Sequence, residues 1–289
     1  MQKEKHISVV AEPGSVYLDH VRPTCENGSA DCIANSVYSS LIAKRDDGTE
    51  KVCLNTLSAV GSYGERTNAG REKGVCRMLE LFLKKPLQRI VCQLHFNELP
   101  LRHVFALLDG KTSGPKSFDG PIGKQLASCE QLPVTEFEAI ECDFTSLEDL
   151  DGYDDLNTDQ KYLFKMVYAV ASGFCSPELA ALAPGHIHHA RWLTLACRCL
   201  RLYVSTSEPS NELLQIVTFI VRVYSIMWFR IKKHSKVTDA APNLWNTILA
   251  VRYLPEHLKT VVHRVIQSNG FYAHSESLLQ GVSKLVVDI

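Results

Sequence analysis

Along the first hundred residues the hydrophobic pattern switches between a period of two and a helical period. His6–Ala11 (HISVVA) and Val16–Val21 (VYLDHV) read as strands around the turn Glu12-Pro13-Gly14-Ser15. In the second strand, alternation puts Val16, Leu18 and His20 on one face. Ser29 can cap a helix that runs to about Lys44, with Ile33, Val37 and Leu41 on its apolar stripe. Asp46-Asp47-Gly48 breaks that helix. A strand follows between Val52 and Val60, then a glycine-bearing loop from Gly61 to Gly70. Val75, Met78, Leu79 and Phe82 form a second helical stripe, which Pro86 ends. Leu87–Leu94, with Ile90-Val91-Cys92 at its centre, reads as a strand. The order β-β-α-β-α-β predicts a small mixed sheet with parallel pairs.

Beyond residue 95 the strand signals fade. Glu98–Leu108 reads as helix, Gly110–Gly120 as loop and Pro121–Cys129 as a short helix. Glu136–Asp159 carries ten acids and no base, which predicts a solvated connector. Helices are then expected from Asn157 or Thr158 to Ser172, from Ser176-Pro177-Glu178, from His189 to Ser205 and from Leu213 to Ile231. Shorter ones follow over Leu244–Arg252, Leu258–Gln267 and Ser275–Leu285. The expected fold class is α/β followed by all-α. The expected division is an α/β domain over 1–135, an acidic connector over 136–159 and a helical domain over 160–289.

Leu213–Ile231 is long enough to span a bilayer. However, Gln215, Thr218, Arg222 and Ser225 form a narrow polar stripe along it, and Arg222 would sit mid-bilayer at a cost of about 2.5 kcal/mol or more. A helix buried in a bundle is the reading, with no membrane partner. Apolar residues make up 45% and charged residues 22% of the 289, which excludes large-scale disorder. A net charge of −1 excludes a global electrostatic pull toward nucleic acid, so any such binding needs a local patch. The ten cysteines include no C-x-x-C pair, and the first six residues show no signal-peptide pattern. They are read as reduced and mostly buried, in an intracellular protein of the nucleus or cytoplasm.

Several motifs fail on chemistry. Gly110-Lys111-Thr112 ends like a phosphate-binding loop, but Phe105 stands where that loop needs a glycine. Asp149-Leu-Asp151-Gly152 lacks the outer oxygen ligands of a calcium loop, where Leu147 and Thr158 stand. His186, His188 and His189 lie near Cys175, Cys197 and Cys199, but Cys197 and Cys199 point about 200° apart on a helix. No metal site and no cofactor are expected. Cys92 and His95 share a segment, but order along the chain does not place a thiol against a base. The helix from His189 is more informative. Trp192, Leu195, Ala196, Cys199, Leu202 and Tyr203 fall on one face, and Arg191, Thr194, Arg198 and Arg201 on the other. That second face is either a solvated basic side or a surface that neutralises phosphates, extended by Lys232, Lys233 and Lys236.

Cys92-Gln-Leu-His95-Phe-Asn97-Glu-Leu99 and His189-Ala-Arg191-Trp192 resemble, in that order, the C-x-x-H and Arg-Trp signatures of hAT-superfamily transposases. The strings VCQLHFNELPLRHVFALLDG, TSGPKSFDGPIGK and HHARWLTLACRCLRLYVS look like a group of transposon-derived proteins found mainly in arthropods. The resemblance implies an RNase H-like fold with a helical insertion. In that fold three antiparallel strands precede the first helix, and two do here. The implied missing strand is the first, which carries the first catalytic aspartate. The second aspartate is implied after the strand that follows the first helix, where relatives resemble Gly-Cys-Asp-Gly. This chain has Gly61-Ser62-Tyr63-Gly64, so Tyr63 stands in the place of a metal-binding carboxylate. Two-metal phosphoryl transfer needs converging carboxylates, and a neutral phenol does not supply that charge. Glu256 and Glu276 are available as a third acid, and nothing selects either. Asp19 and Asp109 are the nearest replacements and read as surface or turn residues.

The expectation is a truncated RNase H-like, transposase-derived protein without nuclease activity. DNA is its expected partner through His189, Arg191, Arg198 and Arg201, while Cys92, His95 and Trp192 are structural. The alternative is a helical protein–protein interaction module with no nucleic-acid role. An active nuclease with relocated carboxylates is the third reading.

Overall fold

A computed structural model describes residues 6–12, 16–24, 29–110, 112–114, 117–142, 153–186, 192–234 and 239–273. The chain is α/β at its start and helical afterward. Strands β1 (Ile7–Ala11) and β2 (Val16–Val21) pair antiparallel, with a register shift at Val9/Val10. Helix α1 (Ala30–Ile42) follows, and the Ser29 side chain accepts from Cys32 N at its start. Strand β3 (Ala59–Ser62), helices α2 (Arg66–Ala69) and α3 (Val75–Leu83), and strand β4 (Gln88–Val91) form a β-α-β unit. Its two strands are parallel, from Ala59 opposite Gln88 to Ser62 opposite Val91. Lys84 closes α3 in the left-handed region at φ 55°, two residues before Pro86.

Among the described residues these strands form two separate two-stranded sheets, β1–β2 and β3–β4. This corrects the expectation of one mixed sheet, since no ladder hydrogen bonds join the pairs. The expected Gly110–Gly120 loop holds a third pair, β5 (Thr112–Gly114) with β6 (Ser117–Phe118).

Helix α4 (Gln93–Leu108) starts five residues before the predicted helix and keeps Pro100 in its interior. Leu101, Val104 and Phe105 on it are fully buried. The remaining helices are α5 (Pro121–Leu126), α6 (Thr158–Ser172), α7 (Pro177–Ala180), α8 (Trp192–Tyr203), α9 (Asn211–Phe219), α10 (Ser225–Lys233), α11 (Ala240–Val251) and α12 (Glu256–Ala273). Local chemistry fixes their starts. Asn157 and Gln160 form a reciprocal capping box on α6, and Ser176 caps α7 with Pro177 at the first position. A π turn over Ile220–Tyr224 joins α9 to α10. Asn97 Nδ2, buried on α4, donates to the Tyr224 carbonyl there at 3.1 Å. The α9–α10 helix passes a membrane span by length and composition, yet 67% of its apolar window is buried in the chain.

Two cores divide the protein. A small one joins Ala34, Val75, Leu79 and Leu87, and a large one runs from Phe96 to Ile266. The break between the two clusters falls near the start of α4. The described part of the connector expected over 136–159 is packed. Thr135 N donates to Val204 O and Ile140 N to Val170 O, with Ile140 buried and the Glu136, Glu138 and Glu141 side chains outward. Its acids reach water while Phe137 and Ile140 pack against the helices. Asp149–Gly152, the helix expected over 275–285 and Glu276 lie outside the described residues.

The cysteines need a correction too. Cys32 is disulfide-bonded, and Cys53 and Cys92 are exposed, whereas Cys76, Cys129, Cys175, Cys197 and Cys199 are buried thiols.

Candidate functional site

Parallel strands followed by helices leave a crevice at their carboxyl ends, where ligands bind in open α/β sheets. Here β3 ends at Ser62 and β4 at Val91, and the ladder extends one bond further, Cys92 N to Ser62 O at 3.1 Å. Tyr63 follows β3 directly and His95 lies in the first turn of α4. Their rings meet edge to face with centroids 4.5 Å apart. Gly64 makes this contact feasible, since a Cβ there would fall 2.5 Å from His95 Nε2. Glu98, one helical turn beyond His95, accepts from the Tyr63 hydroxyl at 3.2 Å and has an oxygen 4.0 Å from His95 Nδ1.

Burial dominates the chemistry of these three groups. It pushes the Glu98 carboxyl up to about 7, against a smaller opposing effect of the Tyr63 hydrogen bond. It raises the Tyr63 phenol as well, helped by the Glu98 charge. His95 is lowered by burial and by the Arg102 charge. His95 Nδ1 is buried with no hydrogen-bond partner among the described residues. Beside the cluster lies a cavity of about 240 Å³, lined among others by Ser62, Gly64, Cys76, Arg89, His95 and Asn269. Tyr63, His95 and the Cys92 backbone thus converge, while the Cys92 side chain is exposed.

The basic helix is a different matter. Arg198 and Arg201 are 4% and 2% exposed. Arg198 donates to the Gly185, Leu126 and Pro184 carbonyls and pairs with Glu130 at 3.0 Å. Arg201 donates to the Glu130 and Leu132 carbonyls and to Ser205 Oγ. Their expected phosphate contact is corrected, because both guanidiniums are consumed inside the protein. The predicted solvated face of α8 is covered by the segments around 126–132 and 184–186, so nearly every residue of the helix is buried. His189 and Arg191 lie outside the described residues. Trp192 is 7% exposed and meets Phe118 edge to face at 6.4 Å.

No protein-family model, no curated protein and no solved structure matches this chain. What the chain can do therefore rests on its own geometry and on the resemblance of its sequence strings.

Among the described residues, no group of three His, Cys, Asp or Glu side chains is placed to hold a metal ion. Asp19 is engaged elsewhere. Lys51 Nζ at 2.6 Å, helped by Ser40 and His20 N, holds its carboxyl down to about 2. Asp109 is a turn residue at the end of α4, as read, but it is buried and not at the surface. Its carboxylate caps α5 by accepting from Ile122 N and Gly123 N at 2.7 and 2.8 Å. Glu256 pairs with Lys259 at the surface.

Two features escaped the sequence. Glu98 was legible as an i,i+3 partner of His95, but Leu87–Leu94 reads as strand and breaks that register. The second is an apolar groove of about 630 Å³ between α6 and α7. Tyr168, Phe174 and Leu182 border it at 59%, 67% and 47% exposure. Lys165, Tyr168 and Ser172 line one side at helical offsets of 0, 3 and 7.

Proposed function

We propose that this chain is a transposase-derived intracellular protein that works by binding and does not cut DNA, and that what it binds is another protein. The RNase H-like ancestry rests on the hAT-like strings around Cys92–Leu99 and His189–Trp192. On this reading β1–β2 and β3–β4 derive from one ancestral nuclease sheet. The absence of cutting is supported by Tyr63, a phenol that stands where a carboxylate is implied and is hydrogen-bonded to Glu98.

The choice of protein over nucleic acid is carried by the groove between α6 and α7. Exposed Tyr168, Phe174 and Leu182 around one concavity make a contiguous apolar surface, which marks an interaction site more than scattered single residues would. The groove has room for a few large side chains. Its helical i, i+3, i+7 lining suits a short amphipathic helix of the partner, with anchors at matching offsets. Of the arginines that carried the nucleic-acid reading, Arg198 and Arg201 support it no longer, being buried, and Arg191 lies outside the described residues.

The test is a selection of helix-forming peptides against the whole protein. Selected peptides bind the wild type and lose about tenfold or more in Phe174→Asp and Tyr168→Asp, both changes at exposed positions. In parallel, duplex DNA is titrated between about 50 and about 200 mM salt with magnesium or manganese present. Peptides indifferent to both variants would remove the protein-binding reading. Steeply salt-dependent DNA binding would restore the nucleic-acid reading, and metal-dependent nicking the nuclease one.

A further inference from the structure

The cavity at the ends of β3 and β4 is separate from the groove between α6 and α7, and the binding reading does not use it, although Ser62, Gly64 and His95 on its wall belong to the strings that carry the resemblance. We infer that it is a binding site for a single small oxyanion of the phosphate class.

Size sets the first bound. About 240 Å³ holds a phosphate group with its water but not a whole nucleotide. Chemistry sets the second, because Ser62, Cys76, Arg89, His95 and Asn269 put polar side chains on a wall that Ala69, Ile90, Val91, Phe96 and Leu99 complete. Arg89 contributes a fixed charge and five N–H groups, of which one reaches Glu80 Oε2 at 3.1 Å. Ser62 contributes a hydroxyl, which donates to the Tyr63 carbonyl at 3.3 Å and lies 3.7 Å from Cys76 Sγ. Burial pushes the Cys76 thiol up, so it keeps its proton. His95 contributes an imidazole whose buried Nδ1 makes no hydrogen bond among the described residues and lies 4.0 Å from a Glu98 oxygen. No carboxylate is among the lining side chains. The nearest one behind Arg89, Glu80, is shared between Arg77 and Arg89 at 3.0 and 3.1 Å, so that trio carries one net positive charge.

Two further features favour the same sign. Helices α3 and α4 both begin beside the cavity, at Val75 and Gln93, and neither Gly74 nor Cys92 provides a side-chain cap. The partial positive charge of each helix start has that sign. They add to the arginine, hydroxyl and imidazole, which carry the assignment.

The site is linked to pH through His95. The groups that bear on it are Tyr63 and Ser62 from β3 and its exit, Glu65 beyond them, Cys76 from α3, Arg89 from β4, Glu98 and Arg102 from α4, and Asn269 from α12. An anion beside the ring favours imidazolium and opposes the burial and the Arg102 charge that lower it. Binding therefore tightens as pH falls through the His95 titration, and bound anion raises that titration.

The experiment titrates inorganic phosphate into the intact protein against chloride at constant ionic strength. The His95 ring nitrogens are followed by NMR, and affinity by calorimetry. The expected result is a saturable His95 shift, a raised His95 titration, and weakening of about tenfold or more in Arg89→Gln, the loss of one charged hydrogen-bond donor. Ser62→Val, which puts methyls into the cavity, abolishes the shift. A nucleoside 5′-monophosphate arm separates the sources. Equal affinity assigns free phosphate, and binding about tenfold tighter or more assigns a phosphate ester. A His95 shift that does not saturate, or one unchanged in both folded variants, overturns the site. Should either variant fail to fold, the wild-type titration alone decides it.

Discussion

Replacing Glu98 by Gln removes one ionisation while keeping shape and the acceptor for Tyr63. The Glu98 side chain is 13% exposed, and burial raises its carboxyl from 4.5 to about 7. At about 1.36 kcal/mol per pH unit, holding the ionised form inside the folded protein costs about 3 kcal/mol relative to the unfolded chain. The sign follows from proton counting. Between about pH 4.5 and 7 the folded protein keeps the Glu98 proton that the unfolded chain has released, so stability falls as pH rises through that window. His95 works the other way. Its lowered titration means that stability is gained as pH rises toward the unfolded value of 6.5. The wild-type profile mixes the two, whereas the difference between Glu98→Gln and wild type isolates Glu98. The two proteins should match within several tenths of a kcal/mol near about pH 4.5, and Glu98→Gln should be more stable by up to about 3 kcal/mol near pH 8. Urea unfolding at intervals across this range measures it. A difference that does not change with pH would refute burial of Glu98 against Tyr63 and His95.

Further substitutions test other parts of the structure. Arg198→Met strands Glu130 and three carbonyls and should cost about 3–5 kcal/mol in denaturant unfolding. It should leave any DNA affinity unchanged in an anisotropy titration, because the side chain is buried. Trp192→Ala should cost about 3–5 kcal/mol in the same assay, as a large side chain removed from beside Phe118. Gly64→Ala forces the His95 ring to move and should cost about 1–3 kcal/mol, with loss of the ring-current shift between Tyr63 and His95 in proton NMR. Lys84→Gly relieves a left-handed residue at the end of α3 and should raise the unfolding midpoint, by about 0.5–1 kcal/mol of stability.

The elements legible in the sequence were those with local causes. Ser29, Asn157 and Ser176 cap helices through their own side chains, and alternation alone places β1 and β2. Sheet assembly was not legible, because whether β2 and β3 join depends on contacts between distant segments that no periodicity encodes. The start of α4 was missed for a related reason. Gln88–Val91 and Gln93–Leu94 are similarly mixed in polarity, so an apolar run cannot by itself mark where β4 stops and a helix begins. The acidic segment misled in another way. Its charge count is real, but Glu136, Glu138 and Glu141 stay exposed while Phe137 and Ile140 between them pack against the helices.

At the site, the sequence pointed to Tyr63, Cys92 and His95 for one reason, resemblance, and the structure brings them together for another. A parallel strand pair delivers both of its carboxyl ends to one place, so residues just after β3 and β4 must meet. That topological fact does not depend on ancestry. The arginines show the converse. Arg198 and Arg201 share a helical face with the spacing of a phosphate-binding stripe, and that spacing is equally what buried loop-holding arginines need. Periodicity reports which residues share a face, not what lies against it. Deciding between solvent, nucleic acid and protein carbonyls required the positions of Leu126, Glu130, Leu132 and Gly185, between 13 and 72 residues away from the arginines they hold. A guanidinium with several carbonyl partners and no exposed surface cannot also release counterions from a duplex.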